Sequence, residues 1–154
     1  MALSAKNLKL KPKILTTAFQ AEARTAFKKI RQLAKNFDKH NLFLAGGETT
    51  VRVKGHGRGG RNQEAVLSAL LSIKNNELFM AAASDGIDFS PHAGAIADLT
   101  VKERALKLKL NPSQYLENND SYNFFKKTGG YLYTGKTGSN AADLLLYYKT
   151  EKHL

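Results

Sequence analysis

The sequence contains no cysteine, which excludes a disulfide framework, a thiolate nucleophile and a cysteine-ligated zinc site. It also has no apolar run approaching the roughly 20 residues that a membrane-spanning helix needs. The first residues, Met1–Lys6, lack the long hydrophobic stretch of a signal peptide. We therefore expect a soluble, cytoplasmic protein with no membrane partner.

Acidic residues are scarce at the start of the chain. Residues 1–40 contain ten Lys or Arg and two Asp or Glu, a net charge of +8, whereas the remaining 114 residues have a net charge of only +3. Apolar residues make up 42% of the 154 positions, a composition typical of one globular domain with a real core. The basic segment is open to two interpretations, a nucleic-acid-binding surface or a solvated helix face.

The basic residues share a predicted amphipathic helix with an apolar stripe. Thr17 and Gln20 form a capping-box pattern that predicts a helix beginning at Ala18. Its apolar stripe comprises Ala23, Ala26, Phe27, Ile30, Leu33, Ala34 and Phe37. Its basic stripe comprises Arg24, Lys28, Arg31, Lys35 and Lys39. No aromatic residue interleaves the basic stripe to stack on bases, so we favour a solvated face over nucleic-acid binding.

Short apolar runs alternate with helical patterns along the chain. Strands are predicted at residues 13–16, 42–45, 49–53, 78–83 and 131–134, and residues 144–148 fit a strand or a short helix. Further helices are predicted at residues 62–75, 101–109, 112–117 and from about 120 to 129. This alternation predicts an α/β fold, a three-layer sandwich with a mixed, mostly parallel sheet and helices on both faces.

A loop rich in glycine and arginine is the strongest candidate for a binding site. Gly57, Arg58, Gly59 and Gly60 lead directly into the helix that begins near Arg61 and Asn62. Glycine lets successive N–H groups converge, and a helix N-terminus and arginine forks attract anions. These residues predict a site for phosphate or carboxylate, with a flexible hairpin end as the alternative.

Two further polar loops follow predicted strands. Asp85 and Asp88 could act as general base or magnesium ligands, although aspartates also favour turns by themselves. Thr137 and Asn140 belong to the third loop, and Glu48 is predicted either to pair with Arg61 or Arg52 or to join the site. Ligands bind at the carboxyl ends of strands in such sheets, so we expect the three loops to meet at one edge. The histidines show no metal-ligand spacing, and no metal site is predicted.

Residues 130–137 match the phosphate-binding pattern G-x-x-x-x-G-K-[ST]. In a functional P-loop the four variable residues form a loop between a strand and a helix. Here those four residues are themselves the best strand candidate, and a helix precedes them. We interpret the match as accidental.

Several blocks of the sequence resemble the MOFRL domain, the C-terminal half of class II glycerate kinases, which have also been described as hydroxypyruvate reductases. The resemblance is carried by the following blocks: Gly46–Val51, Gly57–Glu64, Ser84–Asp88, Ala93–Ala95, Asn119–Tyr122 and Thr134–Asn140. Residues 13–41 resemble the segment joining this domain to the preceding one. The family pattern usually has glycine at Phe89 and proline at Lys136.

The resemblance implies ATP- and magnesium-dependent phosphorylation of the 2-hydroxyl of D-glycerate, in a cleft between two domains. It implies catalytic roles for Arg61, Asp85 and Asp88. Phosphoryl transfer depends mainly on positioning and charge neutralisation, which an arginine fork at a glycine loop supplies. In the family an N-terminal domain contributes a lysine and much of the nucleotide site.

We accordingly expect three regions: a strand and basic helix at residues 1–41, a MOFRL-like domain at 42–150 and a tail at 151–154. The chain is predicted to be the C-terminal domain of a glycerate 2-kinase, inactive alone and binding neither ATP nor magnesium tightly. The sequence leaves open whether the chain is a split, truncated or domain-only product, and a separately encoded N-terminal domain is a candidate partner. The alternative is a non-enzymatic module of the same fold that acts through a partner chain or an anionic ligand.

Overall fold

The computed structural model describes residues 1–150, so the predicted tail at 151–154 lies outside the described residues. Within these residues the chain forms six helices and six strands. The helices are α1 (Ala2–Asn7), α2 (Ala23–Ala34), α3 (Arg61–Leu70), α4 (Leu99–Lys107), α5 (Pro112–Glu117) and α6 (Ser121–Thr128). The strands are β1 (Pro12–Glu22), β2 (Leu42–Thr50), β3 (Glu77–Ala83), β4 (Gly94–Ala97), β5 (Tyr131–Leu132) and β6 (Asp143–Lys149).

The six strands form one mixed sheet in the order β1-β2-β6-β3-β4-β5. The α/β class and the mixed sheet are confirmed. The expectation of a mostly parallel sheet was wrong, because β1 and β2 are the one parallel pair and the other four pairings are antiparallel. The reason is that β6 inserts between β2 and β3 and runs opposite to both, a long-range pairing that local patterns do not reveal.

The strand directions bring the three polar loops to one edge of the sheet. β1, β2, β3 and β5 run the same way, so the loops after β2, β3 and β5 leave from the same side. The loops contact each other: Thr137 N donates to Asp85 O at 3.1 Å, and Asn62 N donates to Asp88 Oδ1 at 3.1 Å. The predicted meeting of these loops is confirmed by their contacts.

The two faces of the sheet are covered unequally. Phe43, Phe79 and Leu145 project from one face and are buried in the main core with α2 and α3. On the opposite face α1 packs its Ala5 against Leu42 and Leu44. The third layer of the predicted sandwich is therefore a single short helix, and the expectation of helices on both faces holds only to that extent.

Residues 1–41 form part of the same sheet and core, and the predicted boundary at residue 41 stays a prediction. The helix expected from Ala18 begins at Ala23, because residues 17–22 continue β1 and pair with β2 as far as Glu22 opposite Thr50. Strand pairing thus overrides the local capping box. Five of the seven members of the apolar stripe are buried: Ala23, Ala26, Phe27, Ile30 and Ala34. The other two differ from expectation, since Leu33 is 42% exposed and Phe37 lies beyond the end of α2.

Other boundaries moved for similar reasons. The strand expected at 42–45 continues as β2 to Thr50, so only the first two residues of the strand expected at 49–53 lie in a strand and residues 51–53 do not. Residues 144–148 lie in a strand rather than a helix. Strand β4 was not predicted. The caps of α5 and α6 agree with expectation: Asn111 Oδ1 accepts from Ser113 N at 3.0 Å, and Gly129 ends α6 with a φ of 76°. In the described part of the chain no helix is long and apolar enough to cross a bilayer.

Candidate functional site

Arg61 is the first residue of α3, and its guanidinium group lies at the edge where the three loops meet. Nε donates to Asp143 Oδ2 at 2.7 Å and Nη2 donates to Asp143 Oδ1 at 3.2 Å. Nη1 donates to Glu48 Oε1 at 2.6 Å. The predicted pairing of Glu48 with Arg61 is therefore present, and Asp143 is a second acidic partner that was not predicted.

The two carboxylates differ in how firmly they are fixed. The Asp143 side chain is 1% exposed, and Asp143 is the first residue of β6, paired with Gly47 on one side and Ala83 on the other. Its Oδ1 also accepts from Asn62 Nδ2 at 3.0 Å. The Glu48 side chain is 67% exposed and bonds only Arg61 among the described residues. Asp143 therefore fixes the orientation of the Arg61 guanidinium group, whereas Glu48 contacts that group from the solvent-exposed side.

The Arg61 guanidinium group stays charged. Burial alone lowers its pKa, but the hydrogen bonds and charges of Asp143 and Glu48 outweigh that effect and raise the pKa above its usual value. Since arginine is already protonated at any pH near neutrality, this group is a permanent cation with a planar fork for anionic oxygens.

Three cavities converge on Arg61. One of about 430 Å³ is lined by Gln20, Glu48, Arg61 and Asn140, among others. A second of about 140 Å³ lies beside Asp85, Asp88 and Asn140, and a third of about 380 Å³ beside Glu48, Gly60 and Phe89. Arg61 lines all three. Gly60, Glu48, Arg61, Asp85, Asp88 and Asn140 therefore line neighbouring cavities that share Arg61.

Asp88 occupies the N-terminus of α3. Its carboxylate accepts from Asn62 N at 3.1 Å and Gln63 N at 2.8 Å, and also from both side-chain amides. Burial raises the pKa of Asp88, and the four hydrogen bonds oppose that rise. Gly60 is required here, because a Cβ would lie 2.3 Å from Asp88 Cγ. The end of α3 that was expected to receive a phosphate is occupied by this carboxylate.

The glycine loop directs its N–H groups at the α5–α6 connection. Lys54 N and Gly55 N donate to Asn119 Oδ1, Gly57 N donates to Asn118 O and Arg58 N donates to Asp120 Oδ1. The Arg58 guanidinium stacks over the Tyr122 ring, 4.4 Å from its centroid. The predicted anion cradle at Gly57 and Arg58 is thus replaced by an internal contact, because the turn after α5 presents competing oxygens.

The remaining predicted residues lie at the edge with smaller roles in the hydrogen-bond network. Asp85 Oδ1 accepts from Ile87 N at 2.9 Å in a local turn. Thr137 Oγ1 donates to Ser84 O, which joins the third loop to the second. Asn140 lines two of the cavities. Gly59 lies beside Ser121, with a φ of 154° and a Cβ position 2.0 Å from Ser121 Oγ.

Neither of the implied cofactors fits the described residues by itself. No group of three His, Cys, Asp or Glu side chains in residues 1–150 is arranged to hold a metal ion. Five N–H groups of the glycine loop, those of residues 54–58, are hydrogen-bonded within the chain and so do not point at a triphosphate. The P-loop-like run at residues 130–137 contains β5 and leads into residues without a helix, so it lacks the geometry of a phosphate loop.

The basic stripe of α2 is partly neutralised by acidic groups. Arg24 Nε donates to Glu64 Oε1 at 2.8 Å, and Arg31 donates from Nε and Nη2 to Glu77 at 2.9 and 2.8 Å. Glu64 and Glu77 are both buried. Two of the five stripe cations therefore fix α2 to the core, which reduces the charge available to a nucleic acid.

Comparison with known proteins agrees with this description. A family model described as the MOFRL family matches residues 41–143. The chain belongs to the MOFRL family. A D-glycerate 2-kinase from Thermotoga maritima is 40% identical over 152 residues, covering 92% of this chain and 36% of the relative. A glycerate 2-kinase from Picrophilus torridus is 47% identical over 111 residues, covering 69% of this chain and 25% of the relative.

Two solved structures share the fold of this MOFRL protein. A glycerate kinase from Thermotoga maritima superimposes with a TM-score of 0.85 and 38% identity, covering 95% of this chain and 38% of that one. A protein from Pyrococcus horikoshii gives a TM-score of 0.86 and 33% identity, covering 98% and 37%. The chain therefore spans little more than a third of the length of these relatives.

Proposed function

We propose that this chain is the C-terminal domain of a glycerate 2-kinase and contributes Arg61 to the ATP-dependent phosphorylation of D-glycerate. Arg61 binds an anionic oxygen of glycerate or of the transferring phosphoryl group. Asp85 faces the adjoining cavity and is the candidate base toward the hydroxyl that is phosphorylated. Asn140, Thr137 and Glu48 line or join the loops around the same space.

The observation that supports the proposal best is the fixed arginine. Arg61 is held on two nitrogens by a buried carboxylate and lies between three cavities at the carboxyl ends of the strands. Phosphoryl transfer is catalysed largely by positioned positive charge, so an arginine with this restraint is suited to it. Asp88 keeps a supporting role in the proposal, because its contacts hold the end of α3 that carries Arg61.

ATP and magnesium bind, in this proposal, through residues outside this chain. The N–H groups of residues 54–58 are already hydrogen-bonded within the chain, and no three acidic or imidazole groups converge in the described residues. The relatives named for glycerate kinase activity are almost three times as long as the part that this chain matches. A partner domain, in the same polypeptide or another, supplies the nucleotide site.

A chimera tests the proposal directly. In the Thermotoga maritima D-glycerate 2-kinase, the segment matched by this chain is replaced by residues 1–150, and ATP-dependent phosphorylation of D-glycerate is measured. We expect an active chimera, and a loss of about a thousandfold in kcat/KM for Arg61→Ala, the order seen for transition-state arginines. Arg52→Ala, a second arginine in the same region, is the matched control and should retain activity.

The outcomes separate the two function hypotheses. The isolated chain should phosphorylate no D-glycerate, and measurable activity that Arg61→Ala abolishes would show that one chain suffices. A folded chimera without activity, which nevertheless keeps the partner domain bound in a two-chain version, would favour the non-enzymatic binding module. Equal activity in the chimera and its Arg61→Ala variant would remove Arg61 from the mechanism.

A further inference from the structure

Arg61 is hydrogen-bonded to two carboxylates, and one of them is fixed in place much more firmly than the other. Asp143 takes Nε and Nη2, is 1% exposed and is fixed by β2, β3 and Asn62. Glu48 takes Nη1 alone, is 67% exposed and has no second hydrogen bond in the described residues. One edge of the guanidinium group is therefore hydrogen-bonded to a buried carboxylate, that of Asp143. The other edge is hydrogen-bonded to the exposed carboxylate of Glu48, which solvent can replace.

The Glu48–Arg61 ion pair lies between two cavities. The cavities of about 430 and 380 Å³ both include these two residues in their lining. When Glu48 turns into solvent, Nη1 becomes free and the two spaces are no longer separated by the pair. The freed position suits a carboxylate or phosphoryl oxygen, which offers the same charge and the same acceptor geometry as Glu48.

We infer that Glu48 is a placeholder for the anionic group of the substrate, while Asp143 is the positioning residue that keeps Arg61 in place when Glu48 leaves. The inference rests on the proposed function for the identity of the substrate. Glu48 competes with that substrate for Nη1, so it lowers the affinity of the resting site for anions. It also satisfies the arginine when no substrate is present.

Neutralising Glu48 should change anion binding in the opposite direction to neutralising an ordinary binding residue. Neutralising Glu48 removes a competitor and strengthens anion binding, and the gain equals what the exposed pair contributes, about two- to fivefold in Kd. Neutralising a residue that simply belongs to a favourable binding site would weaken binding. The sign of the change therefore distinguishes a placeholder from an ordinary site residue.

The test measures binding of inorganic phosphate and of D-glycerate to the full chain at constant ionic strength, by calorimetry and by the Arg61 side-chain NMR signals. Glu48→Gln should lower Kd about two- to fivefold relative to wild type. Glu103→Gln, the same substitution at an exposed carboxylate on α4, controls for the change in net charge. The two probes distinguish a phosphoryl from a carboxylate ligand by which Kd changes more.

The Arg61→Lys substitution, made in the wild-type chain and in the Glu48→Gln chain, completes a double-mutant cycle. Lysine cannot keep two contacts to Asp143 and a third to a ligand, so the gain from Glu48→Gln should disappear in the Arg61→Lys background. If binding depends on Arg61 but Glu48→Gln gives the same Kd as Glu103→Gln, or a higher one, the placeholder is wrong and the proposed function is untouched. If neither anion binds in an Arg61-dependent way, both fail.

Discussion

Truncation of Asp88 should destabilise the fold through the N-terminus of α3. In Asp88→Ala the backbone N–H groups of Asn62 and Gln63 lose their acceptor in a buried environment. The side-chain amides keep other partners, Asp143 Oδ1 for Asn62 and Ser90 Oγ for Gln63. Two unsatisfied buried donors cost about 1–3 kcal/mol each, and the removal of a buried charge offsets part of that. We expect a net loss of about 2–4 kcal/mol.

Urea unfolding followed by circular dichroism measures this loss, with an unchanged m-value showing that the native and unfolded states are otherwise the same. For a chain of this size the loss corresponds to a Tm lower by about 5–15 °C. Asp88→Asn keeps one accepting oxygen but points an amide at a donor, so its loss should be intermediate. Asp85→Ala is the matched control: its carboxylate accepts one bond, from Ile87 N in a turn, and its loss should stay below about 1 kcal/mol.

The pH dependence of the unfolding free energy gives a second check on Asp88, because its direction can be predicted. Burial raises the pKa of Asp88 in the folded protein, so the folded state binds a proton more tightly than the unfolded state does. Its contribution is then complete below the unfolded pKa and decreases as pH rises through the folded pKa. The stability difference between wild type and Asp88→Ala should therefore shrink as pH rises above about 4, the usual pKa of an aspartate. A variant within about 0.5 kcal/mol of wild type would refute the capping role. A difference that grows with pH would instead show that the capping hydrogen bonds outweigh burial in setting the pKa of Asp88.

Two further predictions concern neighbours of the site. The His92 ring stacks on Tyr131 with centroids 4.2 Å apart and contacts the tilted Tyr122 ring at 4.8 Å. Burial together with the charges of Arg58 and Lys126 lowers the pKa of His92. Stability should fall as pH drops below about 6.5, by at most about 1.4 kcal/mol per pH unit from this group, and His92→Phe should remove that component in thermal scans. Phe89 has a φ of 50° and is 80% exposed. Since glycine tolerates this conformation, Phe89→Gly should be about 1 kcal/mol more stable than Phe89→Ala in urea unfolding, and equal values would show that the backbone is unstrained.

The sequence predicted which loops meet at the edge of the sheet better than it predicted the directions of the strands. Loops that follow strands are recognisable from local composition, so the grouping of Arg61, Asp85 and Thr137 could be anticipated from the order of elements. The caps at Asn111 and Gly129 were also predictable, because the side chain or glycine acts on its own helix. Strand direction could not be predicted, because the pairing of β6 with β2 and β3 joins residues up to about a hundred positions apart.

The hydrogen-bond partners of the site residues could not be predicted from the sequence for the same reason. Arg61 and Asp143 are 82 positions apart, and the acceptors of the glycine-loop N–H groups lie more than 60 positions away at Asn118–Asp120. Glycine density predicted a loop whose N–H groups converge, which the structure has, but not the oxygens on which they converge. A signal for Asp143 did exist, as a lone carboxylate at the start of an apolar strand that reaches the site edge.

The charge around Arg61 is unfavourable for a nucleotide bound by this chain alone. The chain carries a net +11, but its excess lies in residues 1–40, and two of those cations are paired with Glu64 and Glu77. At the site itself one permanent cation faces the carboxylates of Glu48 and Asp143, with Asp85 beside the same space. A triphosphate brought to this edge alone meets more negative charge than positive, and phosphoryl transfer requires the reverse. We infer that the cations for the phosphates come from outside the chain, and that Arg61 contributes orientation together with a single charge.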